Sequence, residues 1–182
     1  MSVKIKLEGI GNVFQAFEQL ANEIGDKKAT SKVLVPSVRE AMKPVLSRAQ
    51  ANAPMDTGGL KLSLQIEARR PSKRDRRSKY ITQTDTVIAT VTTASGKKLA
   101  QMGEGKGLIK SRRRLLKMGA TAEQAAAFEG FKSDARAMSQ EFGSAHNGPQ
   151  PYLRPALESM AQETVNTLGR VLGRRIQQFK RT

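Results

Sequence analysis

An α+β subunit, with a mostly antiparallel β-sheet and a long hairpin packed against N-terminal and C-terminal helices, is the fold the sequence predicts. Three observations lead there. Leu60, Leu62, Leu64, Ile66 and Ala68 alternate with Lys61, Ser63, Gln65, Glu67 and Arg69, the period of a half-buried strand. Residues Tyr80–Thr93 return to β-branched types after a polar, basic stretch, which supplies a partner strand. Both ends of the chain show helical spacing of apolar residues. A length of 182 residues fits one core, which usually serves roughly 100–200 residues, so a single domain over 1–182 with an insertion at about 95–137 is expected.

Val3, Ile5 and Leu7 alternate with Lys4, Lys6 and Glu8 and predict a short first strand, broken by Gly9 and Gly11. After Asn12, a capping residue type, Val13, Phe17, Leu20 and Ile24 recur on one helical face as far as Gly25. Thr30 or Ser31 can cap a second helix, where Leu34, Val38, Met42, Val45, Ala49 and Ala53 keep helical spacing toward Pro54. Pro36 suits its first turns. Pro44 is interior, so a kink is expected there, with two shorter helices as the alternative.

The Leu60 strand runs into a charged tip, because Arg70–Lys79 holds six Lys or Arg against Asp75 alone. Residues 95–130 read as the insertion. Gly96, Gly103, Gly105 and Gly107 loosen the chain, then Leu108–Met118 is basic and helix-prone, with Arg112-Arg113-Arg114 at its centre. Thr121 and Gln124 have the spacing of a capping box ahead of Ala125–Phe128, and two short helices on a flexible stalk are expected. Pro155 opens a final helix on which Leu157, Met160, Leu168, Leu172, Ile176 and Phe179 trace the apolar face. Its end, Arg170–Arg181, carries five basic residues and no acid, matching the negative end of the helix dipole.

Charge narrows the function. Lys and Arg number 32 against 16 Asp and Glu, a formal net charge of +16, which calls for a polyanionic neighbour. Aromatic residues make up 4% and Trp is absent, which disfavours base-stacking platforms for single strands, and no helix-turn-helix or finger spacing appears. No Cys and a single His, His146, leave no thiolate or imidazole set for a zinc, copper or iron site, and no cofactor is expected. His146 sits beside Asn147-Gly148-Pro149, a turn with no evident nucleophile, so a catalytic role is disfavoured. Gly103, Gly105 and Gly107 lack the lysine-threonine ending of a phosphate loop. The first residues lack the apolar run of an export signal, and no stretch reaches the ~20 apolar residues of a membrane span; a soluble, cytoplasm-made chain is expected.

Two segments stand out. In Ala53-Pro54-Met55-Asp56-Thr57-Gly58-Gly59-Leu60, Pro54 stops a helix, Asp56 or Thr57 can bond nearby amides, and the glycines permit positive φ, a helix-to-strand corner. Glu141-Phe142-Gly143 precedes Pro151-Tyr152-Leu153-Arg154-Pro155-Ala156-Leu157, where prolines hold an extended approach to the last helix. Taken singly, both look structural.

In this order, with these flanking elements, they resemble the tail-completion or tail-terminator (head-tail joining, minor tail) proteins of long-tailed, lambda-like bacteriophages. The stretch 95–137 is longer than that pattern allows. The resemblance implies a non-enzymatic structural virion protein, without cofactor or active site, forming a homo-oligomeric ring, commonly a hexamer, at the neck. There it would terminate the tail tube and join it to the head connector, assembled in the host cytoplasm. Implied partners are further copies, the tail tube protein, a connector or stopper protein and genomic DNA in the lumen, with no membrane. Met1–Leu7 and Leu60–Thr93 are candidates for ring contacts. Arg74, Arg76, Arg77, Arg112, Arg113 and Arg114 are the candidate DNA- or partner-facing residues. Composition alone predicts the alternative, a non-sequence-specific nucleic-acid-binding protein; a small hydrolase would need a pocket of perturbed titratable groups.

Overall fold

A computed structural model describes residues 11–54, 58–94, 98, 105–126, 128 and 135–181. Among them the fold is mostly helical. In order come α1 (Gly11–Ile24), α2 (Asp26–Ala29), a wide π turn (Thr30–Leu34), α3 (Val35–Ala41), α4 (Lys43–Asn52), α5 (Gly59–Ser63), β1 (Leu64–Arg69), β2 (Ile88–Thr93), α6 (Gly105–Lys117), α7 (Ala122–Ala126), α8 (Ala135–Phe142) and α9 (Leu153–Lys180). The expected mostly antiparallel sheet with a long hairpin is therefore wrong: the described residues hold one two-stranded sheet. Its strands are antiparallel, since the Ala94 N–H just beyond β2 donates to the Ser63 carbonyl just before β1, at 2.7 Å. The expected Val3–Leu7 strand lies outside the described residues.

Two local causes remove the predicted strands. Leu60, Leu62 and Leu64 are all buried, but Leu60 and Leu64 enter one apolar cluster and Leu62 another. Their alternation records two buried sides of a helical turn running into a strand, rather than one face of a long strand. Downstream, the Asp85 carboxylate accepts the Thr82 N–H at 2.7 Å and the Asp85 N–H donates to the Thr82 carbonyl at 3.4 Å. That turn captures backbone groups a ladder would need, and Tyr80 is left 80% exposed.

Proline sets the breaks in the helical run from Asp26 to Asn52. Pro36 stands in the first turn of α3 and has no N–H to return. Just before it the helix widens, so that the Val35 N–H reaches back to the Thr30 carbonyl, and the fully buried Ser37 hydroxyl donates to the Val33 carbonyl at 2.7 Å. The break expected at Pro44 falls at Met42, with φ −78° and ψ −3°, which places Pro44 in the first turn of α4, where a missing N–H costs nothing.

The chain divides into two compact units. In the first, comprising Met1–Val45, Ile66–Thr90 and Met160–Thr182, Phe17, Leu20 and Ala21 of α1 pack with Ala29, Val33 and Leu34 and with Leu172 and Ile176 of α9. Val13, Ile24 and Phe179 flank them, so the spacing read from α1 and from the C-terminal half of α9 marks a real core face. Glu40 of α3 joins that half of α9 through Arg174 (2.7 Å) and Arg175 (2.9 Å); hydrogen bonds from Arg175 and then Arg174 hold its carboxyl below the usual range.

The second unit, Leu46–Gln65 and Val91–Ser159, holds two clusters. One gathers Ala49, Ala53, Leu60, Leu64, Ala94, Ala137, Tyr152 and Ala156; the other gathers Leu62, Leu115, Ala125 and Phe128. Leu157, placed by its spacing on the apolar face, is 50% exposed, because Ala156 turns inward at that point of α9. Thr121 and Gln124 form the expected capping box at α7, the Thr121 N–H donating to Gln124 Oε1 at 3.0 Å and the Gln124 N–H to Thr121 Oγ1 at 3.2 Å.

Candidate functional site

Helix α6 carries one of two concentrations of exposed cations without an acid partner among the described residues, the other being the β1–β2 connection. Ser111 and Leu115 bury one face, with Leu108 and Met118 packed beside them. Gly58, at φ +72°, lies so close that a β-carbon there would collide with the Leu115 methyls; the corner glycine thus serves both the backbone conformation and this packing. Lys61 Nζ donates to the Met118 carbonyl at 3.1 Å, and Gly119, at φ +87°, turns the chain away from the helix end. A lysine of the α5 turn and a positive-φ glycine together cap α6.

The opposite face is basic. Lys106, Lys110, Arg113 and Lys117 are exposed and follow at steps of four, three and four residues, which at ~100° per residue puts them in one stripe about 60° wide. Exposed Ile109 and Leu116 run along one edge of the stripe and Arg114 along the other. Arg112 does not join it: its Nε donates to the Phe128 carbonyl at 3.1 Å. The sequence run Arg112-Arg113-Arg114 is therefore divided between a structural bond and an outer face.

The connection between β1 and β2 divides its charges in the same way. Arg69 grips Asp75 with two bonds, 2.5 and 3.0 Å, and Glu67 with a third at 2.7 Å. Asp75 also accepts the Ser72 N–H and hydroxyl at 2.7 and 2.5 Å. The Arg69 guanidinium, then Ser72, hold the Asp75 carboxyl well below the usual carboxylate range. Arg76 reaches three backbone carbonyls, those of Thr82 (2.6 Å), Gln83 (2.8 Å) and Asp85 (3.1 Å). Arg74 and Arg77, with Lys73, stay exposed, and Lys79 stands over the Tyr80 ring, 5.1 Å from its centre.

The motif residues are builders. Pro54 follows α4 half-buried, Leu60 enters the core, and Asp56 and Thr57 lie outside the described residues. Glu141 is the residue whose role sequence reasoning missed. Its buried carboxylate accepts the backbone N–H groups of Tyr152 (2.8 Å), Leu153 (2.9 Å) and Arg154 (3.1 Å). A helix starting at Leu153 leaves four N–H groups without intrahelical partners, those of residues 152–155. Glu141 takes three and Pro155 has none to satisfy. The signal was present in negative form: Tyr152 cannot cap a helix with its side chain, so α9 needed an acceptor from elsewhere.

No family model matches the chain, and no curated protein or solved structure does either.

Around this junction the other motif residues fall into place. Gly143, at φ +83°, ends α8, and a β-carbon there would press on the Asn147 carbonyl and Pro149 at 3.2 Å. The Gln150 N–H donates to the Gln140 carbonyl at 2.7 Å, which brings Pro151 back toward the end of α8. Leu153 packs against the core, while Phe142, Pro151, Arg154 and Pro155 face outward or lie at the surface. Tyr152 is fully buried; burial, and after it the charge of Glu141, push its phenol up to about 12. His146 is exposed in the turn that follows, in a shallow depression lined by residues 142–149, none of them acidic. Among the described residues no group of His, Cys, Asp or Glu is arranged to hold a metal ion, and no helix is long and apolar enough to cross a membrane.

Proposed function

We propose that the chain is a structural assembly protein of a long-tailed phage neck. It works as the subunit of a homo-oligomeric ring, a hexamer by the resemblance, that ends the tail tube and joins it to the head connector around the exiting genome. The observation that carries this reading is the Glu141 cap. The two late segments of the resemblance form one hydrogen-bonded device that starts the longest helix, and Gly58 of the early segment seats α6. The shared residues thus have work as architecture, and no catalytic constellation is needed to explain them. The chain departs from the family pattern in having two strands among its described residues.

Ring closure requires two different faces on each subunit, and the outer backbone edges of a two-stranded ribbon are candidate surfaces for such contacts, that of β1 being met in part by Arg39, which donates to the Ala68 carbonyl at 3.2 Å. Subunits of this net charge repel one another, so DNA in the lumen or acidic neighbours would stabilise the assembly. The test is cosedimentation of the purified, nuclease-treated chain with tail tubes and with connectors. Binding to either without DNA supports the proposal. Failure to bind both, with duplex DNA bound by the isolated monomer, overturns it in favour of a non-sequence-specific nucleic-acid-binding protein, the second reading, which the exposed face of α6 favours.

A further inference from the structure

We infer that the outer face of α6 is the contact for the phosphate backbone of duplex DNA, made by Lys106, Lys110, Arg113 and Lys117 with Arg114 at its edge. This deepens the proposed function by assigning the residues that meet the genome, and the contact itself stands under either reading of the chain.

The stripe is fixed from behind. Leu115 is fully buried against the Gly58 corner, and Lys61 holds the carbonyl at the end of the helix, so the cations stand on a rigid element rather than a loop. Between Gly105 and Lys117 there is no acidic residue, and none of the four stripe cations has an acceptor among the described residues. From Lys106 to Lys117 the stripe is about 16 Å long at ~1.5 Å per residue, roughly five base-pair rises of ~3.4 Å measured along a duplex axis.

Protein surfaces intersperse charges of both signs. A uniformly anionic line of this length is the regular property of a nucleic-acid backbone. A second copy of the chain, at +16, is disfavoured as the occupant because like-charged subunits repel. Single strands are disfavoured because α6 carries no aromatic residue on which bases could stack. Ile109 and Leu116 flank the stripe and would rest on the sugars, leaving the phosphates to the cations. Contacts of this kind position a duplex without reading its sequence.

Arg112 is left out by its bond to Phe128, and Lys106, Lys110 and Lys117 enter in its place. The exposed cations of the β1–β2 connection provide the control, since replacing Lys73, Arg74, Arg77 and Lys79 with Gln removes the same four charges from another place.

Binding of a mixed-sequence duplex is measured against salt concentration for the full chain, for Lys106→Gln/Lys110→Gln/Arg113→Gln/Lys117→Gln, and for the control variant, with circular dichroism to establish that each is folded. The expected result is that the α6 variant loses more than about tenfold in affinity and its log–log salt slope becomes shallower by about 3 to 4, while the control stays near the parent. Equal losses in both variants would show a net-charge effect and overturn the assignment. So would an unchanged slope in the α6 variant, or a parent chain that leaves duplex unbound at low salt. Light scattering on the same samples reports the ring separately: a monomer that gives the expected slopes keeps this contact and removes the neck assembly.

Discussion

At the α8–α9 junction the Glu141 carboxylate is buried and saturated by three backbone N–H groups, whereas on the outer face of α6 four cations stand in water with no acceptor among the described residues. Both regions belong to the same compact unit, and both place charge at a helix. The difference lies in what the charge is for. A buried carboxylate must be bonded or it costs several kcal/mol, so Glu141 is answerable to the fold. Exposed lysines contribute little to stability, so the α6 stripe is free to answer to a partner. The β1–β2 connection shows the two uses side by side: Arg69 and Arg76 knit the loop while Arg74 and Arg77 project from it.

The sharpest break in this contrast would come from Glu141→Ala. With three N–H groups losing their acceptor at the buried start of α9, the fold should lose about 3 kcal/mol, read by urea denaturation, with duplex affinity unchanged in the fraction that remains folded. By contrast, each of the four α6 substitutions should shift stability by no more than about 0.5 kcal/mol. An Arg76→Gln chain loses three bonds to its own loop and should open residues 70–87 to limited proteolysis, at about 1 kcal/mol in overall stability. If Arg76 instead meets a partner directly, the loop will stay protected and duplex affinity will fall.

A pH-dependent effect belongs to Tyr152→Phe. The Tyr152 hydroxyl is buried without a partner among the described residues, so removing it should change neutral-pH stability by less than about 1 kcal/mol, in either direction. Its phenol is pushed from the ordinary 10.0 up to about 12 in the fold. A raised folded-state value means stability that is complete below the unfolded value and is lost as pH rises between the two. Alkaline unfolding between about pH 10 and 12 should therefore be shallower in Tyr152→Phe than in the parent. Identical alkaline limbs would remove Tyr152 from the account.

What could be read in the sequence follows from where each apolar set points. Phe17 and Leu20 in α1, and Leu172 and Ile176 in α9, face one cluster, so their spacing alone locates both helices. Pro44 announces the interruption at Met42 because its chemistry is local. The strand reading failed where Leu60, Leu62 and Leu64 serve two clusters, and again where Asp85 takes a backbone N–H three residues away and Arg76 takes carbonyls six to nine residues away. Glu141 was illegible because its partners lie 11 to 13 residues away, beyond any capping pattern. The run Arg112-Arg113-Arg114 reads as one feature, yet helical geometry turns Arg112 toward Phe128 and Arg113 outward. A count of charges locates the basic helix and leaves the fate of each arginine to the fold.

The central claim is assembly through protein contacts, and mass tests it most directly. Nuclease-treated chain, freed of DNA, should be measured by light scattering at low and high salt, alone and then with tail tube or connector protein, and imaged by negative stain. A closed ring of fixed subunit number is expected to form without duplex, either unaided or when tube or connector is supplied. A chain that stays monomeric under all these conditions and gains mass only by coating duplex DNA would contradict it.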